Sequence, residues 1–422
     1  MARIQPFRAL RYDATRVDLA EVIAPPYDVV ARDERGDLYD RNPYNAVRLE
    51  LTRSLEEEAT TDYAEIRQRL EAWREEGVLV RDEDPGFYVL RQTFEVPGVG
   101  TLSRDGFFGA LGLEDYARRI VRPHERTLAG PKADRLRVLR ATRANLSPIF
   151  MLYEDREDFL APILAEALAT PDALVIDAVG GVRHTLARLT DSEAIARVAS
   201  FLAERPLVIA DGHHRYETSL TYRDERRGDV PDPAAPFEST LVYLANAFSR
   251  GSLLLPIHRL VRKGPVPTSD GWARDLPGWS CETLPLASAD DIREALETHL
   301  LPHAAQPSFA ADDGSGVLRI FWREEALGER LMVRLLEEEV LARAFGLDAD
   351  AIRDGAVAFP RSAERAARDV REGEGVVALY LNALSPEDVF RVTAEGAVMP
   401  QKSTFFAPKI PTGLVFRADE MA

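Results

Sequence analysis

Leu207-Val208-Ile209-Ala210-Asp211-Gly212-His213-His214-Arg215-Tyr216-Glu217-Thr218 is the stretch on which the reading of this chain turns. Four apolar residues with no polar break read as a short buried strand ending at Ala210. Gly212 then permits a tight turn, and Tyr216 to Tyr222 can open a helix. A strand–turn–helix corner aims backbone N–H groups and the positive helix end outward, which suits an anion. Arg215 adds a planar fork that matches phosphate. Asp211 is of the type that holds magnesium or orients a hydroxyl. His213 and His214 are neighbours, so one is expected to face the site and the other to be structural. The bland alternative is a solvated polar turn.

Working outward, Asp191-Ser192 caps a helix carrying Ile195, Val198 and Leu202, which stops before Pro206. Further upstream, Tyr63, Ile66, Leu70 and Trp73 step by three and four, predicting a helix from about Glu56 to Glu76 that Gly77 ends. The segments 86–95 and 103–113 read as a strand pair joined through Pro97-Gly98-Val99-Gly100. Segments 289–301 and 329–345 read as helices, and 375–381 as another buried strand. Alternation of the two patterns predicts an α/β or α+β protein, with mixed sheets and flanking helices. The Pro/Gly-rich stretch 263–277 is the expected boundary. It divides an α/β region, 1–262, from a C-terminal α+β region, 263–422, whose last segment returns to the site.

The 422 residues carry 53 basic and 70 acidic side chains, a net charge of −17. That balance argues against nucleic acid as a partner. One cysteine, Cys281, excludes a disulfide framework and a Cys-based zinc site. No apolar run approaches membrane-spanning length, and the start does not read as a signal peptide, so a cytoplasmic location is expected.

Only four of the 53 basic residues are lysines: 132, 263, 402 and 409. Three of them fall in two short segments, 122–136 and 399–413. An ammonium is a compact point charge that an Arg fork does not reproduce, so lysine kept in an Arg-dominated chain points to function. In the first segment His124 and Glu125 are candidate acid/base groups, and a loop through Pro131 is expected to precede a helix start at Ala133. In the second, Lys402, Ser403, Thr404 and Lys409 sit among turn residues and suit a phosphate or carboxylate pocket; salt bridges tying down the C-terminus are the bland alternative. Pro25-Pro26-Tyr27-Asp28 is a rigid turn presenting one carboxylate. Pro256-Ile257-His258-Arg259 ends a strand with a cationic pair, a candidate substrate contact. His184, His299 and His303 have no convincing company and read as structural.

Taken in order, these pieces resemble a widespread prokaryotic family known as domain of unknown function 1015. The matching residues are Pro25 to Asp28, His124-Glu125-Arg126-Thr127 with Lys132 and Asp134-Arg135, Asp211 to Arg215, Pro256 to Arg259, and Met399-Pro400-Gln401-Lys402-Ser403-Thr404. The resemblance spans essentially the whole chain. The Asp211–Arg215 corner also resembles that of the ParB/sulfiredoxin superfamily, whose Gly-Cys-His-Arg or Asp-Gly-His-x-Arg motif holds nucleotide phosphates. Sulfiredoxins use the Cys as nucleophile; His213 stands there in this chain, which sets cysteine-sulfinate chemistry aside. The free-serine kinases of that superfamily keep the Asp-Gly-His form with an upstream carboxylate as base, a role this likeness implies for Asp28, 183 positions before Asp211.

The expected function is therefore a nucleotide-dependent phosphotransferase, foremost a free L-serine kinase using ATP or ADP with Mg2+. Asp28, Asp211, His213 and Glu125 are the expected catalytic set. Gly212, His214, Arg215, His124, Lys132, Arg135, Lys402, Ser403, Thr404 and Lys409 are expected around nucleotide and phosphate. His258 and Arg259 are expected near substrate, and Asp211 and Glu125 at the metal. The partners are then a small-molecule substrate and a nucleotide, with no membrane and a homodimer left open. Two other readings stand beside it: a metal-dependent hydrolase gathering Asp211, His213, His214, His124 and His258, and a nucleotide-sensing binding module.

Overall fold

The computed structural model describes residues 1–53, 61–125, 129–177, 180–228, 232–400 and 402–419. The chain is mixed α/β and divides into two compact units. The first comprises 1–253, 393–397 and 408–422; the second comprises 254–392 and 398–407. Residues 263–277 thus lie inside the second unit, because the strand just before them already pairs within that unit's sheet. Among the described residues no helix is long and apolar enough to cross a membrane.

The first unit is built on a nine-stranded mixed sheet: β1 (Ile4–Gln5), β2 (Phe87–Val96), β3 (Gly100–Gly112), β4 (Val121–Arg122), β5 (Ile149–Tyr153), β6 (Leu174–Asp177), β7 (Arg183–Leu189), β8 (Leu207–Asp211) and β9 (Ser239–Asn246). The order is β4-β8-β5-β9-β3-β2-β7-β6, with β1 on β3. β2 and β3 form the expected antiparallel pair, its turn closed by Val99 N–H donating to Val96 O at 3.0 Å. β8 lies one strand from the edge, yet Leu207, Val208 and Ile209 have no exposed surface. Part of that cover comes from the helix Ser192–Ala203, whose Val198 and Leu202 share a core cluster with Leu207 and Ile209. The helices used below are α1 (Glu34–Arg41), α2 (Tyr63–Glu75), α3 (Ala129–Thr142), α4 (Ser192–Ala203), α5 (His213–Arg226) and α6 (Ser269–Asp275).

Local chemistry sets several of their ends. Asp191 caps α4 by accepting from Ala194 N–H, and Val198 and Leu202 enter the main core with Phe87, Phe107 and Met151. In α2, Ile66, Leu70 and Trp73 are buried as the spacing predicts. The expected start near Glu56 lies outside the described residues, which omit 54–60; the described helix α2 begins after Asp62, whose carboxylate accepts from Ala64 N–H. The loop expected through Pro131 is corrected. Helix α3 already begins at Ala129, because a proline is tolerated in a first turn whose N–H groups have no intrahelical acceptors.

The closing segment returns to the first unit. Ala24 and Thr412 exchange both backbone hydrogen bonds at 3.0 and 2.8 Å, and Leu10 and Phe416 form a second bridge. The second unit carries a six-stranded sheet of β10 (Arg259–Val261), β11 (Ser280–Pro285), β12 (Ser308–Asp312), β13 (Val317–Trp322), β14 (Val357–Ala358) and β15 (Val377–Tyr380), in the order β11-β13-β12-β15-β10-β14. Its core gathers Leu260, Leu318, Ile320, Ala366, Ala367 and Tyr380.

Candidate functional site

The pairing of β8 with β5 slips by one residue between Ile209 and Asp211. This bulge at Ala210 re-aims Asp211 at the strand's end. Gly212 follows with φ of 92°, a left-handed conformation that opens α5 directly at His213 rather than at Tyr216. A Cβ at Gly212 would stand 3.0 Å from Arg215 Nε, so glycine also leaves room for that side chain. Arg215 Nη2 reaches back one turn to Asp211 Oδ2 at 2.5 Å, and Nη1 donates to Pro148 O. Lys409 donates to the other oxygen of Asp211. Its own backbone is held by Gln92 Nε2, which donates to Lys409 O at 3.0 Å, and by Arg104, which donates to Pro408 O.

The early turn brings a second carboxylate to the same arginine. Val29 N–H donates to Pro26 O at 3.0 Å, and Asp28 Oδ2 stands 3.9 Å from Arg215 Nη2. The two acids are driven in opposite directions. Loss of water, and then the nearby Asp211 charge, raise the Asp28 pKa, against the pull of Arg215 and Lys409. Burial also acts to raise Asp211, but Lys409 and Arg215 outweigh it and hold that carboxyl well below the usual range. Tyr27 roofs the pair, with the Arg135 guanidinium 4.2 Å and that of Arg215 5.8 Å from its ring centre. Burial pushes its hydroxyl up to about 12.

On the other flank, His124 and His213 meet edge to face with ring centres 4.6 Å apart. His124 N–H donates to His213 Nε2 at 3.2 Å, so a neutral His213 carries its proton on Nδ1, 3.5 Å from Glu125 Oε1. His124 Nδ1 is bonded to Ile209 O, the last carbonyl before the bulge. Burial lowers the pKa of both rings. His213 is the buried member of the His pair, whereas His214 is half-buried and faces the charges of Glu125, Glu217 and Lys132. Lys132 Nζ donates to Glu217 Oε2 at 2.7 Å. The corner thus collects Lys132, Arg215 and Lys409 with Asp28, Glu125, Asp211 and Glu217.

Arg135 is buried as a brace, donating to the Asp134 carboxylate and to Glu50 O at 2.7 Å. Lys402, Ser403, Thr404, His258 and Arg259 belong to the second unit. There Arg259 Nη1 donates to Ile257 O at 2.7 Å and to Lys402 O at 3.1 Å, and Leu381 N–H donates to His258 Nδ1 at 3.4 Å. Ser403 Oγ donates to Pro400 O. Arg126, Thr127 and Gln401 lie outside the described residues. His184 is buried; His299 stands 3.8 Å from Glu282; His303 stacks on Trp322.

Two features had no motif to announce them. Buried Glu50 accepts from Ser147 Oγ at 2.5 Å and Thr412 Oγ1 at 3.1 Å, tying the closing segment beneath the corner. A cleft of about 450 Å³, walled by Pro25, Pro26, Leu38, His184 and Pro408, ends on Lys409. Among the described residues no three His, Cys, Asp or Glu side chains gather as metal ligands. The imidazoles at the corner turn to Ile209, to the His124 backbone and to Glu125 instead.

Comparison with known proteins follows from this geometry. No curated protein matches the chain. It is similar to a solved free serine kinase mutant in complex with AMP, at 12 % identity over 70 % of this chain and 89 % of that one, with a TM-score of 0.35. It is similar to a conserved hypothetical protein from Pyrococcus furiosus, at 13 % identity over 71 % and 92 %, TM-score 0.34. A third likeness is to SbnI with a C-terminal truncation from Staphylococcus aureus, at 12 % identity over 74 % and 87 %, TM-score 0.36. At such scores none of the three bears on the chemistry. A family model described as protein of unknown function (DUF1015) matches residues 4–276.

Proposed function

This chain belongs to the DUF1015 family, and we propose that it is a nucleotide-dependent phosphotransferase acting on a small hydroxyl metabolite, with free L-serine as the first acceptor to test. One observation carries the reading: two carboxylates, Asp28 and Asp211, flank Arg215 at a helix start, with their pKa values driven apart. Such splitting separates acid–base work from electrostatic work. Asp28, raised toward the working pH, is the group to accept the proton of the acceptor hydroxyl. Asp211, held ionised, orients Arg215 and Lys409. Phosphoryl transfer asks chiefly for positioning and charge neutralisation. The first turn of α5, Arg215, Lys132 and Lys409 supply these.

In the step, the acceptor oxygen forms a bond to the terminal phosphorus of ATP or ADP and the bond to the bridging oxygen breaks. The hydroxyl proton passes to Asp28, and the nucleotide leaves with one phosphate fewer. The lysines at the corner already have carboxylate partners, so incoming phosphates draw Lys132 from Glu217 and Lys409 from Asp211. The residues fit a Mg2+ carried mainly by phosphates and water, as that ion prefers, rather than one caged by protein. Glu125 is the carboxylate to contact it, Asp211 staying bound to Arg215. When bound, Mg2+ would neutralise charge on the phosphates. On this reading the protein is a cytoplasmic enzyme.

The test mixes the protein with ATP or ADP, Mg2+ and L-serine and follows phosphorus NMR. Phosphoserine is the expected product. Its absence with either nucleotide across a panel of divalent metals overturns the serine-kinase reading.

A further inference from the structure

The second unit holds a cavity of about 200 Å³ that the proposed chemistry does not use. Trp272 and Leu276 come to it from α6 and its end, Trp279 from the following turn, Cys281 from β11, and Arg319 and Phe321 from β13. Its frame is rigid. The Trp272 ring centre lies 5.1 Å from that of Phe321 and 5.7 Å from Phe345; Trp279 meets Phe309 edge-on at 5.2 Å, and Phe309 stacks on Phe321 at 4.7 Å. The Arg323 guanidinium sits 4.6 Å from the Trp279 ring centre. Interlocked rings of this kind cannot collapse to fill a void.

The unmet polar groups at the void are donors. Trp272 is 4 % exposed, and its indole N–H has no acceptor among the described residues; the same holds for the indole N–H of Trp279. Buried tryptophans ordinarily place that N–H on a partner, and an unmet buried donor is costly. Two such donors on one cavity are an exception that asks for a reason. Arg319 brings a cation to the same wall, and among the described residues no carboxylate lines it. Asp313 takes Arg319 Nη1 at 3.0 Å, which does not saturate a guanidinium with five N–H donors. Aromatic walls with two unmet indole donors and a cation, beside the Thr283 hydroxyl, complement a flat apolar body bearing an anionic acceptor.

We propose that this cavity is a ligand site for a small aromatic carboxylate, its ring against Trp272, Leu276 and Phe321 and its carboxylate toward the two indole N–H groups and Arg319. The reading is independent of the corner in the first unit, so either can fail alone.

Benzoate, with toluene as the uncharged match, tests this on the full chain. Two of the four tryptophans line the cavity, and the chain's single cysteine, exposed Cys281, stands at its edge. Benzoate is expected to change tryptophan fluorescence saturably and to slow alkylation of Cys281 several-fold, whereas toluene does neither at equal concentration. Trp272→Phe and Arg319→Gln are each expected to weaken benzoate roughly tenfold, about one hydrogen bond's worth. Trp279→Phe gives the same reading from outside α6 if Trp272→Phe does not fold. No saturable change with benzoate, equal binding of toluene, or unaltered binding by the folded variants overturns the proposal.

Discussion

Lys409 donates to the Asp211 carboxylate although 198 positions separate the two residues. The contact exists because the closing segment is stitched to Ala24 through Thr412 and to Leu10 through Phe416. It converts a strand-end acid into a fixed counter-ion and completes the charge pattern around Arg215.

Removing that ammonium leaves a buried carboxylate with one cation instead of two. Lys409→Met is expected to cost roughly 3 kcal/mol, the low end for breaking a buried pair, because Arg215 remains. Folding depresses the Asp211 pKa, so its contribution is present above the ordinary value of 3.8 and is lost as pH falls toward the folded value. In Lys409→Met the folded value lies closer to the ordinary one, so the loss of stability below pH 3.8 should be smaller than in the parent. Urea midpoints measured from pH 7 to pH 3 check both statements.

Asp28→Asn separates the proposed base from binding. Transfer should fall about 100- to 10,000-fold, the usual range for a positioned base, while nucleotide still raises the melting temperature. Folding raises the Asp28 pKa, so the folded chain binds this proton more tightly than the unfolded chain. Ionised Asp28 therefore costs stability above pH 3.8, and the amide should be no less stable than the parent at pH 7. Undiminished turnover would remove Asp28 from the mechanism.

Gly212→Ala tests the corner's backbone. The left-handed φ costs an alanine about 1–2 kcal/mol, and its Cβ crowds Arg215 Nε. A lowered melting temperature with loss of nucleotide-induced stabilisation is expected.

Lys132→Arg keeps the charge opposite Glu217 but replaces a point donor with a fork. Stability should change by no more than about 0.5 kcal/mol, while turnover falls at least roughly tenfold. Near-normal turnover would mean that the retained lysine carries no functional information.

His184 and His258 have pKa values lowered to about 4, by burial first and then by Arg104 and Arg259. Between 6.5 and about 4 the unfolded chain binds more protons than the folded one, so stability falls as pH drops through that window. Each ring accounts for up to about 3 kcal/mol at the acid end. His184→Phe, which removes a buried ring nitrogen with no hydrogen-bond partner among the described residues, should flatten the urea midpoint's dependence on pH over this window.

What could be read along the chain was what local periodicity and chemistry specify. The apolar run into Asp211 and Gly212, the Ile66-Leu70-Trp73 stripe, and the Asp191 cap each rest on neighbours within a few residues. The scarcity of lysine pointed at Lys132, Lys402 and Lys409; the first and last reach the corner, whereas Lys402 belongs to the second unit. The start of α5 at His213 and the early start of α3 were misread, since a left-handed glycine and a first-turn proline let helices begin sooner than the apolar spacing suggests.

The tertiary structure alone decided which charges meet. The bulge at Ala210 needs β5 as its reference strand, and the tautomer of His213 needs the His124 backbone. Glu50 gains its role only when Ser147 and Thr412 close on it. Legible in the residues alone were a strand–turn–helix corner and a mixed α/β chain. The opposite pKa shifts of Asp28 and Asp211 came from the fold, because burial and charge at a point in space are sums over residues that are distant along the chain.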